Sequence, residues 1–352
     1  MSENGFFCVS KQSVRALLKR NVPADVFLSL LVLSKNSCEF NKHSFASASA
    51  IKNILGVNYK KALSYIDALL FVKKDDGSKI VSPPDAQTIK LRHGYSKSKI
   101  RWTLNPYYKD KLDDLCFFDN RIVGSVANCK NSPLRKLRNL APDDVATRIL
   151  FSMHTNFSFE INGLPPEPHF YDEYKLIETQ SIDELRIIIS KRSKQPIFAE
   201  DSSRWLAGLS KPLNDGAEVE KTNQIVTKLL RQLESHGFIQ RAIMVFDGDP
   251  NQPDSKPLYE LDLKGSPKHY LRISDRIEPI IRGLDIKAAH GDSPFRFYDT
   301  YAAIVPNEID GHIVGIYRPK FIPQNSKLRQ FKLLKTSESS RQNSAIELTR
   351  KP

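Results

Sequence analysis

Apolar residues recur at three- and four-residue intervals in several windows of this chain, and between those windows the period drops to two. Residues 23–36 ("PADVFLSLLVLSKN") are apolar almost throughout and begin with Pro23. Proline suits the first turn of a helix, so a buried helix is predicted there. Residues 47–57 ("SASAIKNILGV") predict a second helix that stops at Gly56, and residues 58–70 ("NYKKALSYIDALL") predict a third. In the third, Tyr59, Leu63, Ile66 and Leu70 are spaced as one buried stripe. Residues 88–104 then alternate, with Ile89, Leu91, Ile100 and Trp102 set against Lys90, Arg92, Lys99 and Arg101. A loop at 94–98 separates the two halves, so a hairpin is predicted.

One pattern occurs twice. Residues 62–74 ("ALSYIDALLFVKK") align without gaps on residues 229–241 ("LLRQLESHGFIQR"). Leu63 meets Leu230, Ile66 meets Leu233, Phe71 meets Phe238 and Val72 meets Ile239. In the second copy Gly237 is placed to end a helix in the left-handed conformation. Around that copy, residues 181–193 ("SIDELRIIISKRS") predict an opening helix, with Ser181 and Glu184 spaced as a capping box. Residues 202–209 predict a short second helix and 218–237 a long third, with Val226, Leu230 and Leu233 on its buried stripe. Residues 239–263 predict a strand, an acidic turn (Asp247, Asp249, Asp254) and a returning strand.

Three helices followed by a strand ribbon resemble the winged helix-turn-helix superfamily, and the resemblance covers roughly residues 20–105 and 180–265. It implies that the helix before the ribbon enters the DNA major groove. The DNA-contacting residues so implied in the first unit are Asn58, Lys60, Lys61 and Ser64 on the helix, and Lys90, Arg92, Lys97, Lys99 and Arg101 on the ribbon. In the second unit they are Lys221, Gln224, Lys228 and Arg231. The acidic turn of the second unit would repel a phosphate backbone, so that unit reads DNA through its helix alone or binds a protein.

Charge adds to this picture through its location. The net charge is +13, from 53 Lys+Arg and 40 Asp+Glu. Residues 1–140 hold 24 basic and 11 acidic residues, a difference of +13; residues 141–352 hold 29 of each. The whole excess lies in the N-terminal part, which favours a polyanionic partner there. The ribbon at 88–104 has five cations and no acid, whereas ordinary exposed faces mix signs.

The connecting segments complete the expectation. Residues 107–118 predict a helix, and 128–143 a basic linker carrying Arg135, Lys136 and Arg138, which would lie along a DNA backbone. Residues 144–161 predict a helix then a strand, 163–174 a proline-rich loop, and 273–284 a short helix. Residues 300–306 and 312–323 predict a hairpin, and the tail from 337 has a disordered composition.

Signatures of catalysis are absent: no phosphate-binding glycine loop, no dinucleotide fingerprint, no His-Glu-x-x-His and no nucleophile elbow. The carboxylates Asp254 and Asp262 near Lys264 read better as turn and strand-edge residues than as a metal site. The acids in "FYDEY" (170–174) have nothing converging on them. Four scattered cysteines predict buried or unremarkable thiols in a reducing compartment, and neither a secretory start nor a membrane-length apolar run is present.

The fold class expected is therefore α+β. Two winged-helix domains (1–127 and 144–265) are joined by a basic linker (128–143), followed by a C-terminal α/β extension with a small β segment (266–336) and a tail (337–352). The expected function is sequence-specific binding of double-stranded DNA by a cytoplasmic, non-enzymatic protein without metal or cofactor. Transcriptional control comes first. The alternatives are a plasmid or phage replication initiator and an adaptor whose second winged helix binds a protein, and a homodimer through the C-terminal hairpin is compatible with either.

Overall fold

The computed structural model describes residues 5–20, 22–38, 43–85, 100–104, 114–124, 132–140, 145–158, 161–165, 172–182, 185–194, 216–250, 252, 254–261 and 300–323. The chain divides into two compact units, residues 1–144 with 321–352, and residues 145–320. Helices and antiparallel sheets occur in both, so the fold is α+β.

The first unit begins with strand β1 (Phe6–Ser10) and helix α1 (Lys11–Lys19), then α2 (Ala24–Lys35). Apart from Asp25 and Lys35, every residue of α2 is buried, as its near-continuous apolar sequence requires. Short strands β2 (Ser37–Cys38) and β3 (His43–Ser44) lead into α3 (Ala48–Leu55) and α4 (Tyr59–Phe71). Strands β4 (Val81–Ser82) and β5 (Trp102–Leu104) follow, in a sheet of order β2-β3-β5-β4. β5 thus pairs with His43–Ser44 on one side and Val81–Ser82 on the other; the expected first ribbon strand at 88–93 lies outside the described residues. All three predicted helices form, and Gly56 ends α3 with φ +69.

Strand β6 (Leu115–Asp119) pairs antiparallel with β1 across the full length of both. This corrects the end of the helix expected at 107–118, of which 107–113 lie outside the described residues. "LCFF" has no helical stripe; all five residues of the strand are buried, with Phe118 stacked on Phe7. The expected linker is also corrected, because its middle is helix α5 (Pro133–Arg138). Ser132 caps it by accepting from the Arg135 N–H, and Leu134 and Leu137 bury one side. The pair sits three apart, one helical face, which a linker reading based on proline and charge overlooks.

The second unit starts with α6 (Val145–Asn156), followed by β7 (Asp172–Ile182) and β8 (Leu185–Lys194). Next come α7 (Gly216–Ser235), β9 (Ile239–Phe246), β10 (Pro257–Leu261), β11 (Thr300–Pro306) and β12 (His312–Pro319). The strands form one six-stranded antiparallel sheet of order β10-β9-β12-β7-β8-β11. Along β9 the alternation buries both faces. Ile243 and Val245 join Tyr174, Ile188, Val305 and Ile313 on one face, and Ala242, Met244 and Phe246 join Val314 and Ile316 on the other.

Here the expectation of a second winged helix fails. The opening helix predicted at 181–193 falls instead on the end of β7 and on most of β8, with 183–184 outside the described residues. A capping box contributes about 1 kcal/mol. Against it stand the branched run Ile187-Ile188-Ile189, which favours a strand, and pairing with β7 on one side and β11 on the other. The second predicted helix, 202–209, lies outside the described residues. The strands predicted at 300–306 and 312–323 form over Thr300–Pro306 and His312–Pro319, but they do not pair with each other as a hairpin. β11 pairs with β8, while β12 runs between β9 and β7. Residues 158 and 163 make an isolated bridge where a strand was expected to follow α6. The segments 273–284 and 337–352 lie outside the described residues.

Candidate nucleic-acid interface

In the first unit α3 and α4 meet at a tight turn that three local devices hold. The N–H groups of Gly56 and Val57 both donate to the Lys52 carbonyl, which closes the end of α3. Asn58 starts α4 by accepting from the Lys61 N–H at 2.7 Å, so its side-chain oxygen is committed to the cap. The Arg135 guanidinium covers the turn so closely that a Cβ at Gly56 would collide with it.

The orientation of α4 is set by Ala62, Ile66 and Leu69, which are buried. This displaces the stripe expected from sequence. Tyr59 is 50% exposed and Leu63 40% exposed, and Phe71 is 79% exposed at the end of the helix. Lys60, Lys61 and Ser64 are exposed as expected, and the Ser64 hydroxyl donates to the Lys61 carbonyl at 2.8 Å. Asp67 is exposed one turn further along. The outward side of the first two turns therefore combines two lysines, a serine and two large apolar side chains.

Behind α4 an ionic group ties three helices together. The Tyr65 hydroxyl donates to Asp25 Oδ2 at 2.6 Å, and Arg138 Nε donates to Asp25 Oδ1 at 2.8 Å. Burial, then the bond to Asp25, pushes the Tyr65 hydroxyl up to about 12. Arg138, expected along a DNA backbone, pairs with Asp25 and links α5 to α2, and Arg135 folds over the turn. Of that basic trio Lys136 is the exposed member. Arg101 is exposed beside β5, and its N–H donates to the Ser44 carbonyl at 2.9 Å. Lys90, Arg92, Lys97 and Lys99 lie outside the described residues.

In the second unit Lys228 and Arg231 are exposed on α7, opposite the buried Val226, Leu229, Leu230 and Leu233. Lys221 and Gln224 fall within α7 by backbone, and their side chains lie outside the description. Gly237 ends the helix with φ +75, and the Phe238 N–H donates back to the Leu233 carbonyl at 2.8 Å. Asp247, Asp249 and Asp254 occupy the β9–β10 turn, where Asp247 accepts from the Lys256 N–H.

Sequence reading misses one group altogether. Asp172, from the "FYDEY" stretch, is fully buried and receives Arg192 at 2.7 Å and Arg241 at 3.2 Å. These arginines come from β8 and β9, and Glu234 of α7 lies 3.7 Å from Arg241. Two acids face two arginines, so the group is balanced and binds the sheet to the helix. Burial, followed by the Asp172 charge, drives the Tyr174 hydroxyl far upward. Nothing in the spacing of 172, 192 and 241 announces this, because only strand pairing brings them together. Elsewhere, burial pushes the Cys116 thiol up to about 12. Among the described residues no group of His, Cys, Asp and Glu could hold a metal ion, and no helix is long and apolar enough to cross a membrane.

No protein-family model, no curated protein and no solved structure matches this chain.

Proposed function

We propose that the chain is a sequence-specific double-stranded DNA-binding protein whose first unit is a winged helix, with α4 as the helix that enters the major groove. The carrying observation is the order α2, β3, α3, α4, β4, β5, with β3 antiparallel to β5 and β5 to β4. That order places one short helix, a glycine turn and one exposed helix beside a strand ribbon, the arrangement in which such a helix presents side chains to base edges. Lys60, Lys61 and Ser64 supply donors there, and Lys136 and Arg101 supply exposed positive charge on neighbouring elements of the same unit. The +13 excess in residues 1–140 supplies the long-range attraction.

Transcriptional control is the first role of such a protein, and initiation of plasmid or phage replication the second. The test is selection of duplexes from a random library by the full-length chain, followed by footprinting of natural sites that match. An enriched motif establishes specific reading, and an unenriched pool removes it. One site across a promoter favours regulation. Repeated sites in one direction beside A·T-rich DNA favour initiation.

A further inference from the structure

We propose that Tyr59 and Leu63 are specificity residues that pack on the C5 methyl groups of thymines in the major groove, so that the chain takes thymine-bearing B-form DNA in preference to any uracil-bearing duplex. The inference rests on the reading of α4 as the groove-entering helix and names what that helix recognises. Tyr59 and Leu63 lie four residues apart, on one face of the helix. Their helical spacing fits a buried stripe, yet Ala62, Ile66 and Leu69 take that place and turn the pair outward, half exposed. The neighbouring outward residues are Lys60, Lys61 and Ser64, with Asp67 the first acid along the helix.

A surface that is both cationic and apolar matches few partners. The cations select a polyanion, and in a DNA major groove the apolar element is the thymine methyl. An A-form RNA duplex is a polyanion too, but its major groove is too narrow for side chains to read and its uracils lack the methyl. Lys60 and Lys61 therefore approach phosphates or purine edges while Tyr59 and Leu63 cover methyl groups between them. Asp67 sets the far limit of the interface, since a carboxylate further along the groove wall would face phosphates.

The experiment uses the full-length chain and the duplex enriched from the random library, with each thymine replaced in turn by uracil. Burying one methyl contributes on the order of a fourfold change in dissociation constant. The expected result is a loss of about fourfold at one or two positions and none at the rest. In Leu63→Ala or Tyr59→Ala that thymine–uracil difference disappears at the matching position, whereas in Lys61→Ala both duplexes weaken together. Both apolar residues are exposed, and thermal melting checks that the variants fold as the parent does. Equal affinity of the parent for thymine and uracil at every position overturns the inference and leaves specific DNA binding standing. A chain that enriches no duplex removes both. If Tyr59→Ala and Leu63→Ala leave DNA binding unchanged but convert an oligomer to a monomer on sedimentation, the pair is a protein-binding surface and the inference is overturned.

Discussion

Residues 62–74 and 229–241 carry nearly the same apolar pattern and reach different ends. In the first, α4 runs through Phe71 without a glycine and passes directly into extended Val72, leaving the ring 79% exposed. In the second, Gly237 takes a positive φ, the helix closes on itself, and Phe238 is only 1% exposed. Leu63 faces outward while its counterpart Leu230 is buried. The cause is one residue and its surroundings. A left-handed glycine reverses the chain so that the next aromatic ring points back toward the helix, and without it the ring continues around the helix to the far side. Beyond the helix, Val72 leads to a small sheet of short strands, whereas Ile239 opens an eight-residue strand in the interior of a six-stranded sheet.

The comparison breaks most decisively at the aromatic pair. Phe238→Ala should lower stability by about 3–5 kcal/mol through lost burial and the cavity left behind, and Phe71→Ala should change it by less than about 0.5 kcal/mol. Chemical denaturation of the full chain, followed with a probe in each unit, checks both; similar losses would mean that the two copies are buried alike. Close behind in size is Asp172→Asn, which strands two partly buried arginines and should cost about 3–5 kcal/mol, all of it in the second unit. An unchanged unfolding midpoint for that unit would show that Arg192 and Arg241 find other partners.

The exposed faces sharpen the contrast from the side of function. If DNA lies on α4, Lys60→Ala with Lys61→Ala should flatten the logarithmic salt dependence of binding by about 1.8, which is about 0.9 for each phosphate that a lysine no longer neutralises. Lys228→Ala with Arg231→Ala on α7 should leave that slope as it is if only the first unit engages DNA. Titrating the parent and both double variants over a range of salt reads the difference directly, and a larger change in the α7 variant would move the interface to the second unit.

The smallest expected effect concerns the group behind α4. The Tyr65 hydroxyl is raised from 10.0 to about 12 in the folded chain, so folding favours its protonated form. Its contribution is complete below the unfolded value near 10 and fades as pH rises through about 12. Tyr65→Phe should therefore be less stable than the parent by about 1 kcal/mol at neutral pH, from the lost bond to Asp25, with the gap closing above pH 10. Melting curves of the two proteins over that range test it; a gap that widens with pH would reverse the assignment.

Much of the fold is legible along the chain. α2, α3, α4 and α7 fall within a residue or two of their predicted ends, because caps such as Asn58 and stops such as Gly56 and Gly237 act locally. β9, β10, β11 and β12 are visible as alternating runs. Where sequence and structure part, the cause is shared. The segment 181–193 carries a local helix start and a branched apolar run at once, and neither decides until β7 and β11 pair with it. The candidate interface divides in the same way. Lys60, Lys61 and Ser64 are legible as outward residues, whereas helical spacing assigns Tyr59 and Leu63 to the core, and the pairing of Arg138 with Asp25 is not visible in the sequence.

The sequence by itself therefore determined where α2, α3, α4 and α7 begin and stop, that β9 to β12 are strands, and that the positive charge belongs to the N-terminal part. These depend on neighbours within a few positions or on simple addition of charges. The tertiary structure decided which of two adjacent apolar rows on α4 is covered, which strands pair, and that Asp172, Arg192 and Arg241 meet. Those outcomes depend on residues far apart in the chain, whose encounter is governed by sheet order and by the volume that α2 and α3 leave for α4. Hydrophobic spacing states that a face is to be buried, and only packing chooses which face that is.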